Sequence, residues 1–206
     1  MAIKPILFNT EMVREILDGR KSCTRRLVKP QPDGNVCFPF GFVTDSIDKK
    51  KVGYFGFGIN ESGGSIQYAK LQYQPGDTLY VRETWMDYAG LTMYKADCDI
   101  YRLDSLNLAG FGWHPSIHMP KEVARIWLEV TDVRVERLQD ITADSIRNEG
   151  LSSLAVHCGD MEIALKEWEN LWNSTIKKSD IDRYGWGANP WVWVIEFERC
   201  EKPEGV

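Results

Sequence analysis

Five positive side chains, Arg20, Lys21, Arg25, Arg26 and Lys29, fall within ten residues with no acid among them, and Ser22, Cys23 and Thr24 sit inside that charge. The protein as a whole is acidic, with a formal net charge of −5, so the cluster runs against its background. A basic, hydroxyl-bearing segment of this kind can bind phosphate, do chemistry, or form a solvated rim. For chemistry, the Thr24 hydroxyl is a poor nucleophile until a neighbouring base takes its proton. Lys21 can be that base only if its pKa is lowered, by burial or by positive charge from Arg20, Arg25 and Arg26. Strand geometry adds a condition. In a regular strand Lys21, Cys23 and Arg25 face one way and Ser22, Thr24 and Arg26 the other. Lys21 and Thr24 therefore cooperate only if Lys21 lies in a turn or a bulge intervenes.

Other residues could join or rival this cluster. Glu83 sits among apolar neighbours beside Arg82, and such a carboxylate could serve the site or pair with Arg25 or Arg26 as a bidentate fork. Glu149 closes a short helical pattern beside Gly150, where a surface carboxylate is the plain reading. His114 and His118 are four apart, but Pro115 and Pro120 argue against a helix, and no cysteine or acid is spaced to complete a metal site. His118 is instead a candidate contact for a base or phosphate. Trp85 and Trp113 are candidates to stack on a base, whereas Trp168 and Trp172 fall on a helical core stripe. The Lys49–Lys51 run reads as a solvated loop.

The elements that position these residues follow from periodicity. Pro5 to Asn9 reads as a first strand, and Thr10 as the N-cap of a helix from Glu11 to Asp18. Met12 with Ile16, and Val13 with Leu17, give that helix an apolar stripe, and Gly19 supplies its left-handed cap. A strand through Leu27 and Val28 follows until Pro30 and Pro32 stop it. Residues 33–70 lack helical period and hold two weak strands, 54–59 and 66–71, as an inserted hairpin or long loop. The Gln74–Asp77 turn leads into one alternating strand, 78–85, with a short one at 93–96. A second irregular insertion spans 98–120. Residues 124–135 alternate, with a bend at Thr131 and Asp132. Helices are expected from Thr142 to Glu149 and from Met161 to Trp172, and a last strand from Pro190 to Arg199. Several short strands with few helices point to a small β-barrel with helical decoration, one domain carrying two insertions.

Composition narrows the setting. At 206 residues with 43% hydrophobic and 27% charged content, the chain is long enough for one core. Its acidity argues against non-specific coating of duplex DNA, which needs many basic contacts. Five scattered cysteines, with no close pair, read as reduced thiols. No apolar run reaches bilayer length and the first residues lack a secretion signal, so a cytoplasmic location is expected. No cofactor or metal is expected.

The order of motifs resembles the ASCH family of PUA-like β-barrels. The residues that carry the likeness are Gly19-Arg20-Lys21-Ser22-Cys23-Thr24-Arg25-Arg26, the Gln74-Pro75-Gly76-Asp77 turn and Val192-Trp193-Val194-Ile195-Glu196-Phe197. The stretches Trp113–Pro120 and Val130–Leu138 resemble a larger, phage- and prophage-associated branch of that family. The resemblance implies binding of RNA, a nucleotide or a modified nucleoside, with Lys21, Arg25 and Arg26 at a basic pocket edge and Arg20, Ser22, Glu83, Trp85 and His118 as further contacts. One small branch hydrolyses N4-acetylcytidine to cytidine and acetate. By resemblance to it, Lys21 is the proton acceptor, Thr24 the nucleophile and Glu149 the proton donor. Those hydrolases are about half this length. A non-catalytic, phage-encoded interaction protein is the remaining reading, to which the acidic surface and insertions are suited.

Overall fold

In a computed structural model of the protein, which describes residues 2–34, 38–45, 48–60, 66–99, 103, 106, 110, 112–151 and 158–205, strands dominate and helices flank them. In chain order the elements are β1 (Ile3–Leu7), α1 (Thr10–Leu17), β2 (Cys23–Leu27), β3 (Phe38–Phe42), β4 (Tyr54–Gly58) and β5 (Gln67–Lys70). Then come β6 (Thr78–Arg82), β7 (Trp85–Tyr88), β8 (Leu91–Tyr94), β9 (Trp127–Arg137), α2 (Ala143–Asn148), α3 (Met161–Thr175), α4 (Ile181–Tyr184) and β10 (Trp191–Cys200). The mainly β architecture with helical decoration is as read from the sequence. Its strands fall into a five-stranded sheet in the order β1-β6-β9-β10-β2, a three-stranded sheet β3-β4-β5 and the pair β7-β8.

In the large sheet only β1 and β6 run parallel. β10 is its hydrophobic spine, and both its faces are buried. Trp191, Trp193, Ile195 and Phe197 enter the main core with Val13, Ile16, Leu79 and Leu128. Val192 and Val194 meet Trp168 and Trp172 of α3 and Ile146 of α2 on the other face. The two helices thus give the closing strand a second buried face.

Stretch 33–70 is more ordered than an inserted hairpin. It holds β3, which weak periodicity concealed, and its middle strand drives Phe55 and Phe57 into the main core against Trp193 and Trp191, with ring centres 5.7 and 5.5 Å apart. Stretch 78–85 divides in two, because Glu83 and Thr84 interrupt the pairing and β7 turns away to join β8. Much of 98–120 lies outside the described residues, as do Cys37 and the segment 152–157.

Two local details fix the entry to the site. Asn9, not Thr10, caps α1: its side chain accepts from the Met12 N–H at 2.8 Å, and amide oxygens serve such caps at least as well as hydroxyls. Gly19 then takes φ +73°, which turns the chain from α1 toward β2. β2 lies at one edge of the sheet and β1 at the other. Among the described residues no backbone ladder joins them. A side chain spans the gap instead, with an Arg26 Nη donating to the Leu7 carbonyl at 2.7 Å.

Candidate functional site

Lys21 precedes β2 rather than lying in it, and this resolves the alternation condition. Lys21 forms a single antiparallel bridge with Glu149, and the Ser22 N–H donates to the Asn148 carbonyl at 2.8 Å. Regular pairing with β10 begins only at Cys23. Lys21 is thus held by the end of α2, while Thr24 is held by β10, opposite Ile195.

Glu149 is the hub. Lys21 Nζ donates to its Oε2 at 2.7 Å and to its backbone carbonyl at 2.9 Å. Arg25 donates from one Nη to Glu149 Oε1 at 3.3 Å and from the other to Glu136 Oε2 at 3.1 Å. The side chains of Lys21 and Arg25 are 0% exposed and that of Glu149 3%, so this is an ion cluster out of water. Glu149 is therefore not the surface carboxylate its position suggested. The helix end that carries it is pressed against α1: Gly150 has φ +98°, and a Cβ there would lie 2.9 Å from the Glu15 Cβ and 3.3 Å from the Lys21 Cβ. Only glycine fits both the conformation and the space.

Beside the cluster lies a cleft of about 60 Å³, lined among others by Thr24, Arg25, Arg26, Glu149, Trp168 and Trp172. It has room for a few water-sized groups and is far smaller than a typical ligand pocket of roughly 300–1,000 Å³, so only the reacting end of a ligand fits inside. Thr24 is buried, and its hydroxyl has no hydrogen-bond partner among the described residues. Two further donors on lining residues, Arg25 Nε and Trp168 Nε1, are buried without a protein partner. Orphaned donors are costly in an interior, and both of these belong to residues that line the cleft.

Cys23 is not a competing nucleophile. Burial, reinforced by the Glu149 charge, pushes its thiol up to about 12 against the pull of Lys21 and Arg25, and its sulfur contacts the Ser145 carbonyl. Arg26 has the opposite character. Burial lowers its pKa from the usual guanidinium value, its ring neighbour is Phe8, and no carboxylate pairs with it among the described residues.

The remaining sequence candidates lie elsewhere. Arg20 is exposed and pairs with Glu15 and Asp18; Ser22 is exposed and does not line the cleft. Glu83 does not meet Arg25 or Arg26. It is buried against Arg125, whose Nε and Nη donate to its two oxygens at 2.9 and 3.1 Å, and burial nonetheless raises its pKa. Arg125 caps this group by lying 3.9 Å from the Tyr94 ring. Trp85 packs against the His114 ring in a tilted contact, with ring centres 4.8 Å apart, and His118 is exposed in a 3-10 turn; neither lines the cleft. Among the described residues no group of three His, Cys, Asp or Glu is arranged to hold a metal ion, and no helix is long and apolar enough to cross a membrane.

Sequence reasoning missed three members of the site. Trp168 and Trp172 were assigned to the core, which is true, but their outer edges also wall the cleft. Glu136, the second partner of Arg25, was passed over on β9. It is one of several charged residues on that strand, with Glu129, Asp132, Arg134 and Arg137, so no local signal sets it apart.

No family model and no curated protein matches the chain. Among solved structures, an ASCH domain from Lactobacillus crispatus is similar at 11% identity and a TM-score of 0.39, over 96% of this chain and 79% of that one. The hypothetical protein PH0355 is similar at 14% identity and a TM-score of 0.36, over 97% of this chain and all of that one.

Proposed function

We propose that the cleft is a modified-nucleoside site that hydrolyses the exocyclic amide of an N4-acylated cytosine. The observation that carries this is the sharing of one buried cleft by the unpartnered Thr24 hydroxyl and Glu149, whose carboxylate is bonded to Lys21. The substrate class comes from the ASCH resemblance; the buried cluster supplies the means.

The Lys21–Glu149 contact is a path for one proton. With that proton on Glu149, Lys21 is a neutral amine able to take the proton of Thr24. The Thr24 oxygen then bonds to the acyl carbon, and the carbonyl oxygen that becomes anionic is met by Arg25 Nε and Trp168 Nε1, the two donors without protein partners. As the carbon–nitrogen bond breaks, Glu149 gives its proton to the exocyclic nitrogen and cytosine leaves as the amine. Water next attacks the threonine ester, giving a proton to the Glu149 carboxylate, and the protonated Lys21 returns its proton to the departing Thr24 oxygen, which releases the carboxylic acid and restores the hydroxyl, the neutral amine and the protonated Glu149. One amide and one water give one amine and one acid.

A second reading, binding of RNA or a nucleotide without turnover, is favoured by the two hydrogen bonds that hold the Lys21 ammonium on Glu149. Release of cytidine from N4-acetylcytidine, followed by chromatography, separates the two. The hydrolase reading expects turnover in the native protein, loss of at least 10³-fold in Thr24→Ala and partial retention in Thr24→Ser, in keeping with the scale of removing a nucleophile. Undiminished turnover in Thr24→Ala would overturn the proposed nucleophile, and no turnover in the native protein leaves binding alone.

A further inference from the structure

On the other side of β2 lies a second cleft, about 160 Å³, which shares Arg26 with the first. Its charged lining residues are Arg26, Lys29 and Lys70, and no acid lines it. Tyr73 and Trp193 form its apolar floor. In a protein of net charge −5 three cations around one cavity are conspicuous. Several other basic groups here are neutralised: Lys4 pairs with Asp77, Arg20 with Glu15 and Asp18, Arg125 with Glu83 and Asp97, and Arg134 with Asp132, Glu136 and Glu196. Arg26, Lys29 and Lys70 have no carboxylate partner among the described residues. For exposed lysines that is unremarkable. Arg26 differs in being half-buried at the junction of the two clefts, where its one side-chain hydrogen bond among the described residues goes to a backbone carbonyl and leaves its charge unmatched.

We infer that this second cleft is a phosphate subsite of the same ligand, so that the protein acts on a nucleotide or an RNA residue rather than on a free nucleoside. The inference rests on the proposed nucleoside site for the identity of the ligand, but the anion subsite is defined by its own residues. Thr24 and Arg26 are two residues apart on β2, about 7 Å along a strand, so a ligand reacting at Thr24 extends past Arg26 within the length of one nucleoside. Arg26 joins the two clefts: one Nη holds the Leu7 carbonyl, and the rest of its planar fork is left for phosphate oxygens. Lys29 and Lys70 then complete the charge from either side.

Calorimetric titration tests this with cytidine, cytidine 5′-monophosphate, inorganic phosphate and a short single-stranded oligoribonucleotide as probes. The nucleotide is expected to bind at least tenfold more tightly than cytidine, with an affinity that falls as salt rises. Lys29→Gln/Lys70→Gln, at two exposed positions where folding is not at stake, is expected to remove most of that advantage. A phosphodiester source is indicated if the oligoribonucleotide shows the advantage and the monophosphate does not, and a monoester source in the reverse case; both support the subsite. Equal affinity for cytidine and all phosphorylated probes, or an advantage that survives the double substitution, overturns it. Hydrolysis of N4-acetylcytidine is measured separately: turnover without phosphate preference refutes the subsite alone, and phosphate preference without turnover refutes the hydrolase alone.

Discussion

Glu149→Gln probes the site as a folded object, independently of any substrate. The substitution keeps shape and the backbone carbonyl that accepts from Lys21, but it removes the one negative charge between two cations whose side chains are fully buried. Removing one partner of a buried ion pair costs about 3–5 kcal/mol, because the remaining charge stays desolvated. Arg25 retains Glu136 at 3.1 Å, and Lys21 retains the carbonyl at 2.9 Å, which argues for the lower end, about 3 kcal/mol. With a urea dependence of about 2 kcal/mol per molar, the unfolding midpoint should fall by about 1.5 M. Lys21→Met in the same chain removes the orphaned ammonium, so the double variant should regain about 1–3 kcal/mol relative to the sum of the singles. Urea unfolding followed by tryptophan fluorescence reads all four proteins. A midpoint shift below about 0.3 M for Glu149→Gln, the size of an ordinary surface change, would refute the buried cluster; strict additivity would refute the coupling.

Three other outcomes can be checked on the same material. Asp77 is partly buried, which opposes its charge, but the Lys4 ammonium and the Gln74 and Ala2 N–H groups outweigh this and hold its pKa below the usual range. The unfolded chain binds the more readily, so the group stabilises fully above about pH 4 and the stability is lost as pH falls through the folded value. Asp77→Asn should therefore lower stability by about 2 kcal/mol at pH 7 and much less near pH 2, as read by acid-dependent thermal melting. The Cys23 thiol, buried and pushed up to about 12, should resist a disulfide reagent at pH 8 while the exposed Cys158 reacts, until denaturant opens the fold; mass spectrometry of labelled peptides distinguishes them. Gly150→Ala should lose about 2–4 kcal/mol, from backbone strain at φ +98° together with overlap on the Glu15 Cβ; equal denaturation midpoints would contradict it.

The readable parts of this fold are those where local pattern and burial agree. The α1 stripe, the Gly19 turn, the Thr142 cap and the alternation of β9 and β10 all follow local rules, and each appears within three residues of its expected limits. β3 was missed because Phe38–Phe42 mixes Phe with Pro and Gly and pairs only through β4. The break at Glu83 was illegible for a different reason: a charged residue fully buried inside an alternating run looks like any outward-facing position until Arg125 is found beside it. The site divides along the same line. Lys21, Thr24, Arg25 and Arg26 are neighbours in sequence and were singled out together. Glu136, Trp168 and the burial of Glu149 depend on contacts between distant segments, which no local spacing encodes.

That distance has a consequence for how the protein comes to exist. Lys21 and Glu149 are 128 residues apart, and β2, which carries Thr24, is held by β10 near the other end of the strand order in sequence. A chain emerging from a ribosome cannot form the cluster until Glu149 has been made, nor steady Thr24 until β10 has followed. Topologies of such high contact order fold slowly, since loop closure must be met before the contacts reward it. The appearance of the site is thus a late event, and Lys21 and Arg25 remain solvated and available to any passing polyanion until Glu136 and Glu149 have been made.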